Sequence, residues 1–193
     1  MTSTFVFVQI HDEPAVNLLS SLREIFKGRQ SKSPIHITVR GPHKHVPSQN
    51  RLGRLWDQLD GEGLLIHGIG TFDFPEKSIV YIKSNSKAIR KIWWKRDYPI
   101  IRFGFNPHIS LFEGTKENAL EVAEFLKSQK IELYCRDLSL TLYQTFSDDL
   151  FDSPSNTLIH RSSRIKGDVL VEPYRWKDGA VERARLLARA LNL

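Results

Sequence analysis

Cysteine is almost missing from this chain. Cys135 is the only one in 193 residues, so no internal disulfide can form and the fold must be held by packing. It stands in an apolar, strand-like run and reads as a buried thiol in a reducing compartment, with the cytoplasm as the expected location. Long apolar stretches are missing too. The opening residues MTSTFVFVQIHD carry one short apolar run with no basic segment before it, so neither a signal peptide nor a membrane span is expected. The compositional bias of a disordered or fibrous chain is absent as well, since 40% hydrophobic and 26% charged residues are ordinary for a globular protein. Acidic residues are in deficit, giving a formal net charge of +6, which favours anionic partners without selecting one.

What is present is a repeated order of elements. The apolar run 5–10 reads as a strand. After Asp12 as N-cap, Leu18, Leu19, Leu22, Ile25 and Phe26 follow a helical period that Gly28 stops. A strand at 35–40, a short helix opened by Ser48, and a long strand at 64–74 complete β-α-β-α-β. The second half repeats this with strand 79–82, helix 86–95, strand 108–112, helix 116–127 and strand 131–143. Equivalent positions lie 68 to 72 residues apart. In the last strand the apolar positions shift from odd to even, which predicts a bulge at Arg136-Asp137.

The expected fold is therefore α+β and two-lobed, a pseudo-duplicated β-α-β-α-β with mostly antiparallel sheets around a central cleft. Residues 1–75 form the first lobe and 76–144 the second, divided at Pro75-Glu76-Lys77. Residues 145–193 form an appendage, with a polar loop at 147–167 and an amphipathic helix through Val181, Ala184, Leu187, Ala188 and Leu191 whose other face carries Arg183, Arg185 and Arg189.

Candidate chemistry sits on the two motif strands. In PIHITVR, alternation sends Ile35, Ile37 and Val39 to one face and His36, Thr38 and Arg40 to the other. In PHISLF it sends Ile109 and Leu111 inward and groups His108, Ser110 and Phe112 opposite. Each half thus offers an imidazole and a hydroxyl about 6.6 Å apart along a strand. With seven histidines and 25 Ser or Thr, about one His-x-Ser/Thr triplet is expected by chance, and His160-Arg161-Ser162 is a third. Position separates the pair from the stray. His36 and His108 occupy the same place in the repeat, follow a nearby proline, and stand opposite an apolar stripe. A lone strand histidine is more often a half-buried residue satisfied by a neighbour. A matched pair meets the requirement of phosphodiester cleavage, one imidazole accepting a proton and the other donating one near neutral pH.

Two H-x-[S/T] strands in such a repeat resemble the 2H phosphoesterase superfamily, which includes 2′,5′-RNA ligase-like proteins and RNA cyclic phosphodiesterases. The likeness covers residues 4 to 144. The family's paired P-H-x-T-L motifs correspond to PIHITV, with one residue inserted after the proline, and PHISL. The resemblance implies His36 and His108 as general acid and base, Thr38 and Ser110 as phosphate ligands, no metal and no cofactor. Bacterial ligase-like members commonly carry an arginine after the second motif. Here Phe112-Glu113 stands there and Arg40 follows the first, placed to offset charge from the opposite side.

The expected enzyme is a metal-independent, monomeric phosphodiesterase. It hydrolyses a 2′,3′-cyclic phosphate or a 2′,5′ linkage in RNA or a small nucleotide, with Phe112 and Tyr143 as base-stacking candidates. One rival is a 2H enzyme degrading cyclic nucleotide signals. Another is a non-catalytic RNA-binding module using Trp94, Lys91, Lys95 and Arg96, with Trp93 read as core. His43-Lys44-His45 reads as a solvated loop, not a metal site, because no acidic or Cys ligand is near.

Overall fold

A computed structural model describes residues 2–27, 33–84, 86–93, 106–146, 155–161 and 174–193. The fold is α+β, with antiparallel strands throughout. The first half runs β1 (Thr2–Ile10), α1 (Glu13–Lys27), β2 (His36–His43), α2 (Gln49–Trp56) and β3 (Leu64–Asp73). It continues with β4 (Ser78–Ser84), α3 (Lys87–Trp93), β5 (His108–Gly114), α4 (Lys116–Ser128), β6 (Glu132–Cys135) and β7 (Leu138–Phe146), then β8 (Ser155–Arg161), β9 (Tyr174–Arg175) and α5 (Ala180–Ala190). Gly28 and Trp94, Lys95 and Arg96 of the aromatic and basic cluster lie outside the described residues.

Strand order is β2-β1-β7-β8 in one sheet and β5-β4-β3-β6-β9 in the other. The sheets are assembled across the two halves of the chain. β1, from the first half, pairs with β7 from the second, and β4 pairs with β3 from the first. The turn at Pro75–Lys77 lies inside the β3–β4 hairpin, where the Phe74 amide donates to the Lys77 carbonyl at 2.9 Å. In each sheet the motif strand lies at the edge, β2 beside β1 and β5 beside β4. The helices are crossed in the same sense, α1 lying against β5 and α3 against β2.

Arg136-Asp137 is not a bulge within one strand. It is where the chain leaves the second sheet at β6 and enters the first at β7. The change of face that the sequence pattern registers comes from a change of sheet. Asp12 secures this crossover. Its carboxylate accepts the Arg136 and Asp137 amides, each at 3.0 Å, and the Tyr174 hydroxyl at 3.1 Å. Asp12 also stands directly before α1, where its carbonyl accepts the Val16 amide at 2.9 Å.

Apolar alternation fills the core as expected. Val6, Val8 and Ile10 of β1, Ile37 and Val39 of β2, and Ile109 and Leu111 of β5 are all buried. Leu18, Leu19, Leu22 and Phe26 bring α1 onto the same cluster, with Cys135 buried in it. Part of the stretch read as a polar loop is strand β8, which extends the first sheet at its edge. Leu158 there is 58% exposed, and a strand with little apolar burial leaves no alternation to read. β9 extends the second sheet, and α5 lies against α1, adding Ala184 and Ala188 to the core. Among the described residues no helix is long and apolar enough to cross a membrane.

Candidate active site

β2 and β5 are the outer strands of their sheets and lie against each other, so the motif edges meet. His36 and His108 are close enough for the charge of one to depress the basicity of the other.

Both rings are held in the same way. His36 Nδ1 lies 2.8 Å from the carbonyl of Pro34, and His108 Nδ1 lies 2.7 Å from that of Asn106, in each case two residues upstream. A carbonyl only accepts, so Nδ1 carries the hydrogen and the neutral ring presents its lone pair on Nε2. Ser33 Oγ stands 3.3 Å from His36 Nδ1 as a second acceptor.

Each imidazole also has an aromatic partner from the neighbouring strand. Phe7 stacks on His36 with centroids 3.7 Å apart, and Tyr81 leans on His108 at 4.9 Å. The aromatics continue one strand further on both sides. Tyr143 stacks on Phe7 at 4.8 Å, and Phe72 on Tyr81 at 4.3 Å while meeting His108 edge-on at 5.0 Å. Phe7, Tyr81 and Phe72 are buried yet do not belong to the main core cluster, as expected for the faces of the sheets that carry the histidines.

This environment lowers both pKa values. His36 is pushed down to about 4, first by burial and further by the charges of Arg23, His108 and Lys27, against the bond to Pro34. His108 is also lowered by burial, partly offset by its bond to Asn106. Both rings are therefore neutral at physiological pH.

Thr38 and Ser110 keep their expected places. Thr38 pairs with Phe7 and Ser110 with Tyr81, each half-buried and two residues beyond its histidine. Arg40 and Phe112 do not, and for one shared reason. Val6 pairs with Arg40 while its neighbour Phe7 pairs with Thr38. Val80 pairs with Phe112 while its neighbour Tyr81 pairs with Ser110. One extra residue is thus accommodated at this point in each motif strand, a bulge that simple alternation does not foresee, and β2 takes a second between Arg40 and His43, which pair with Val6 and Thr4. The shared bulge turns the following residue inward. Arg40 is 2% exposed and donates through Nη1 to the Val39 carbonyl at 2.7 Å, and Phe112, 1% exposed, is part of the core. Neither is presented to a ligand beside the histidines. Tyr143 is half-buried against Phe7, on the histidine-bearing side of its sheet, while Ser139 on that side is engaged by His11 Nε2 at 2.7 Å.

His43 ends strand β2 opposite Thr4 and is half-buried, unlike the solvated loop expected there, whereas His45 is exposed. His160, the stray triplet, lies on β8 and stacks on Trp56 at 5.7 Å.

Alternation alone did not single out Phe7, Tyr81, Gly70 or Arg23. Phe5 and Phe7 alternate with Val6 and Val8, and that contrast in size was the available signal for a second, aromatic face. A Cβ on Gly70 would lie 2.5 Å from Cζ of Tyr81, so the missing side chain leaves room for the ring beside His108. Arg23 interrupts the apolar stripe of α1 between Leu19 and Phe26. The chain matches no family model and no curated protein.

Proposed function

We propose that the protein is a metal-independent phosphodiesterase of the 2H phosphoesterase type, acting as a monomer in the cytoplasm on a 2′,3′-cyclic phosphate or 2′,5′ linkage of RNA or an oligonucleotide. The observation that carries this reading is the matched seating of His36 and His108. Each donates Nδ1–H to the carbonyl two residues upstream, each lies on an aromatic ring, and the two occupy facing strand edges. A structural histidine needs one satisfied nitrogen. Two histidines held alike leave two Nε2 atoms for proton transfer.

In the reaction, one Nε2 takes a proton from water as its oxygen bonds to phosphorus. The other ring, protonated, gives its proton to the ribose oxygen as the P–O bond breaks. The Thr38 and Ser110 hydroxyls donate to the non-bridging oxygens, where charge accumulates. The phosphate itself readies the acid, because a bound anion raises the pKa of the imidazoles that burial has lowered. Tyr143, half-buried and stacked on Phe7 through one face, is the ring on which a base would stack.

The test is product analysis by chromatography after incubation in EDTA with 2′,3′-cyclic nucleotides, 2′,5′-linked oligoadenylate and a cyclic dinucleotide. Conversion of the first or second to a defined phosphate product supports the reading. Turnover of the cyclic dinucleotide alone favours the signal-degrading alternative, and RNA binding without turnover of any of the three favours the binding module.

A further inference from the structure

The two halves of the site differ in the charge beside the carbonyl that holds each imidazole. Arg23 of α1 is 4% exposed and donates through Nη1 to the Ser33 carbonyl at 2.9 Å and the Pro34 carbonyl at 3.2 Å. The Pro34 oxygen is also the acceptor for His36 Nδ1. A buried guanidinium therefore shares the acceptor of one catalytic imidazole. At His108 the corresponding carbonyl belongs to Asn106, whose side chain donates to the Tyr81 hydroxyl at 2.7 Å, a neutral contact.

We propose that Arg23 is a positioning residue that fixes His36 as the general base and so leaves His108 as the general acid. The inference rests on the phosphodiesterase reading and supplies what the near-equivalence of the motifs leaves open.

The physical argument has two parts. The guanidinium anchors residues 33–34 and so fixes the acceptor that orients the His36 ring. Its charge, confined in a buried setting, also opposes a second positive charge on that imidazole. The other charged groups around His36 act in the same sense. Lys27 lies on α1 and His108 on β5, while Lys87, Arg90 and Lys91 of α3, the helix against β2, are exposed. His36 is thus held neutral, its Nε2 lone pair available to water. The influences on His108 are its burial and the Asn106 carbonyl, and Lys83, its cross-strand partner, has an exposed side chain. A bound anionic substrate therefore brings His108 to its charged form, with the proton taken from solvent, more easily than His36. In the cleavage step the water proton passes to His36 Nε2, the new P–O bond forms, and the leaving ribose oxygen takes the proton of His108.

Two measurements on the full chain test this. The first is the NMR titration of both histidines in the native protein, Arg23→Gln and Arg23→Lys. Loss of the charge is expected to raise the His36 midpoint by about one pH unit and leave that of His108 nearly in place. Arg23→Lys keeps the charge and is expected to stay near the native midpoint. An unmoved His36 in folded Arg23→Gln, or equal shifts of both rings, would overturn the proposal. Should Arg23→Gln not fold, a rise in Arg23→Lys as large as about one unit would overturn the charge argument.

The second compares His36→Ala and His108→Ala on a nucleoside p-nitrophenyl phosphodiester. Its leaving group departs without a proton, so loss of the acid matters little. His108→Ala is expected to lose less than about tenfold in kcat/KM, and His36→Ala about 10²-fold or more. The reverse order would contradict the assignment. Turnover of no phosphodiester at all would remove the functional reading, while the titration would still decide whether Arg23 controls His36.

Discussion

Phe7 lies nearly flat against His36, their ring centroids 3.7 Å apart and their planes 18° from parallel. The stack fixes the plane of the imidazole and excludes water from one face. Burial is the largest cause of the low His36 pKa, so Phe7→Ala is expected to let it rise from about 4 toward its ordinary value. The same change frees the ring, with an expected loss of about tenfold or more in kcat, since a general base acts only when held in place. The titration is read by NMR and the rate by steady-state kinetics.

On the other half, Gly70→Ala is expected to displace Tyr81, because the added Cβ would lie 2.5 Å from Cζ of that ring. Overpacking of this kind costs about 1–3 kcal/mol, measurable by urea denaturation. The double variant with Tyr81→Ala should recover part of that loss, giving a non-additive cycle. Additive losses would mean that the two residues do not meet as described.

Stability should fall with acid. His36 has a pKa of about 4 in the folded chain against about 6.5 when unfolded, so between these values the unfolded state binds the extra proton. The folded form then loses stability as pH drops through that window, by an amount on the order of 3 kcal/mol at its lower end. His108, lowered by burial, acts in the same direction. Urea midpoints at pH 7.5 and pH 5 are expected to differ less in His36→Gln than in the native protein. By the same linkage, binding of a nucleoside 2′-monophosphate should tighten as pH falls from 7.5 to 5.5, which calorimetry can follow.

Much of this arrangement was legible in the residues. The alternation in PIHITVR and PHISLF places both histidines opposite an apolar stripe, and both rings are seated alike, at the carbonyls of Pro34 and Asn106. What alternation could not reveal was the pair of bulges. Arg40 and Phe112 each stand four residues past a histidine, and the extra residue just before each turns both into the interior. Strand exchange was hidden for a related reason. Apolar periodicity reports which face is buried and not which sheet the strand joins, so the passage at Arg136-Asp137 looked like a bulge. Arg23 was legible in principle as a charge within an apolar helical stripe, but its partners at 33–34 become apparent only when the chain is folded.

The Asp12 carboxylate accepts two amides and the Tyr174 hydroxyl at the passage between sheets. Asp12→Ala leaves those donors without their acceptor and is expected to destabilise the fold by about 1–3 kcal/mol. Urea denaturation checks this, and an unchanged midpoint would show that the crossover does not depend on the carboxylate.

The most direct measurement is the hydrolysis of 2′,3′-cyclic nucleotides in EDTA by the native protein, His36→Ala and His108→Ala, each first shown to be folded. Two-histidine catalysis requires turnover in chelator, with kcat/KM falling by about 10²-fold or more in either variant. Native-like rates in both folded variants would contradict the assignment of His36 and His108 as the catalytic pair.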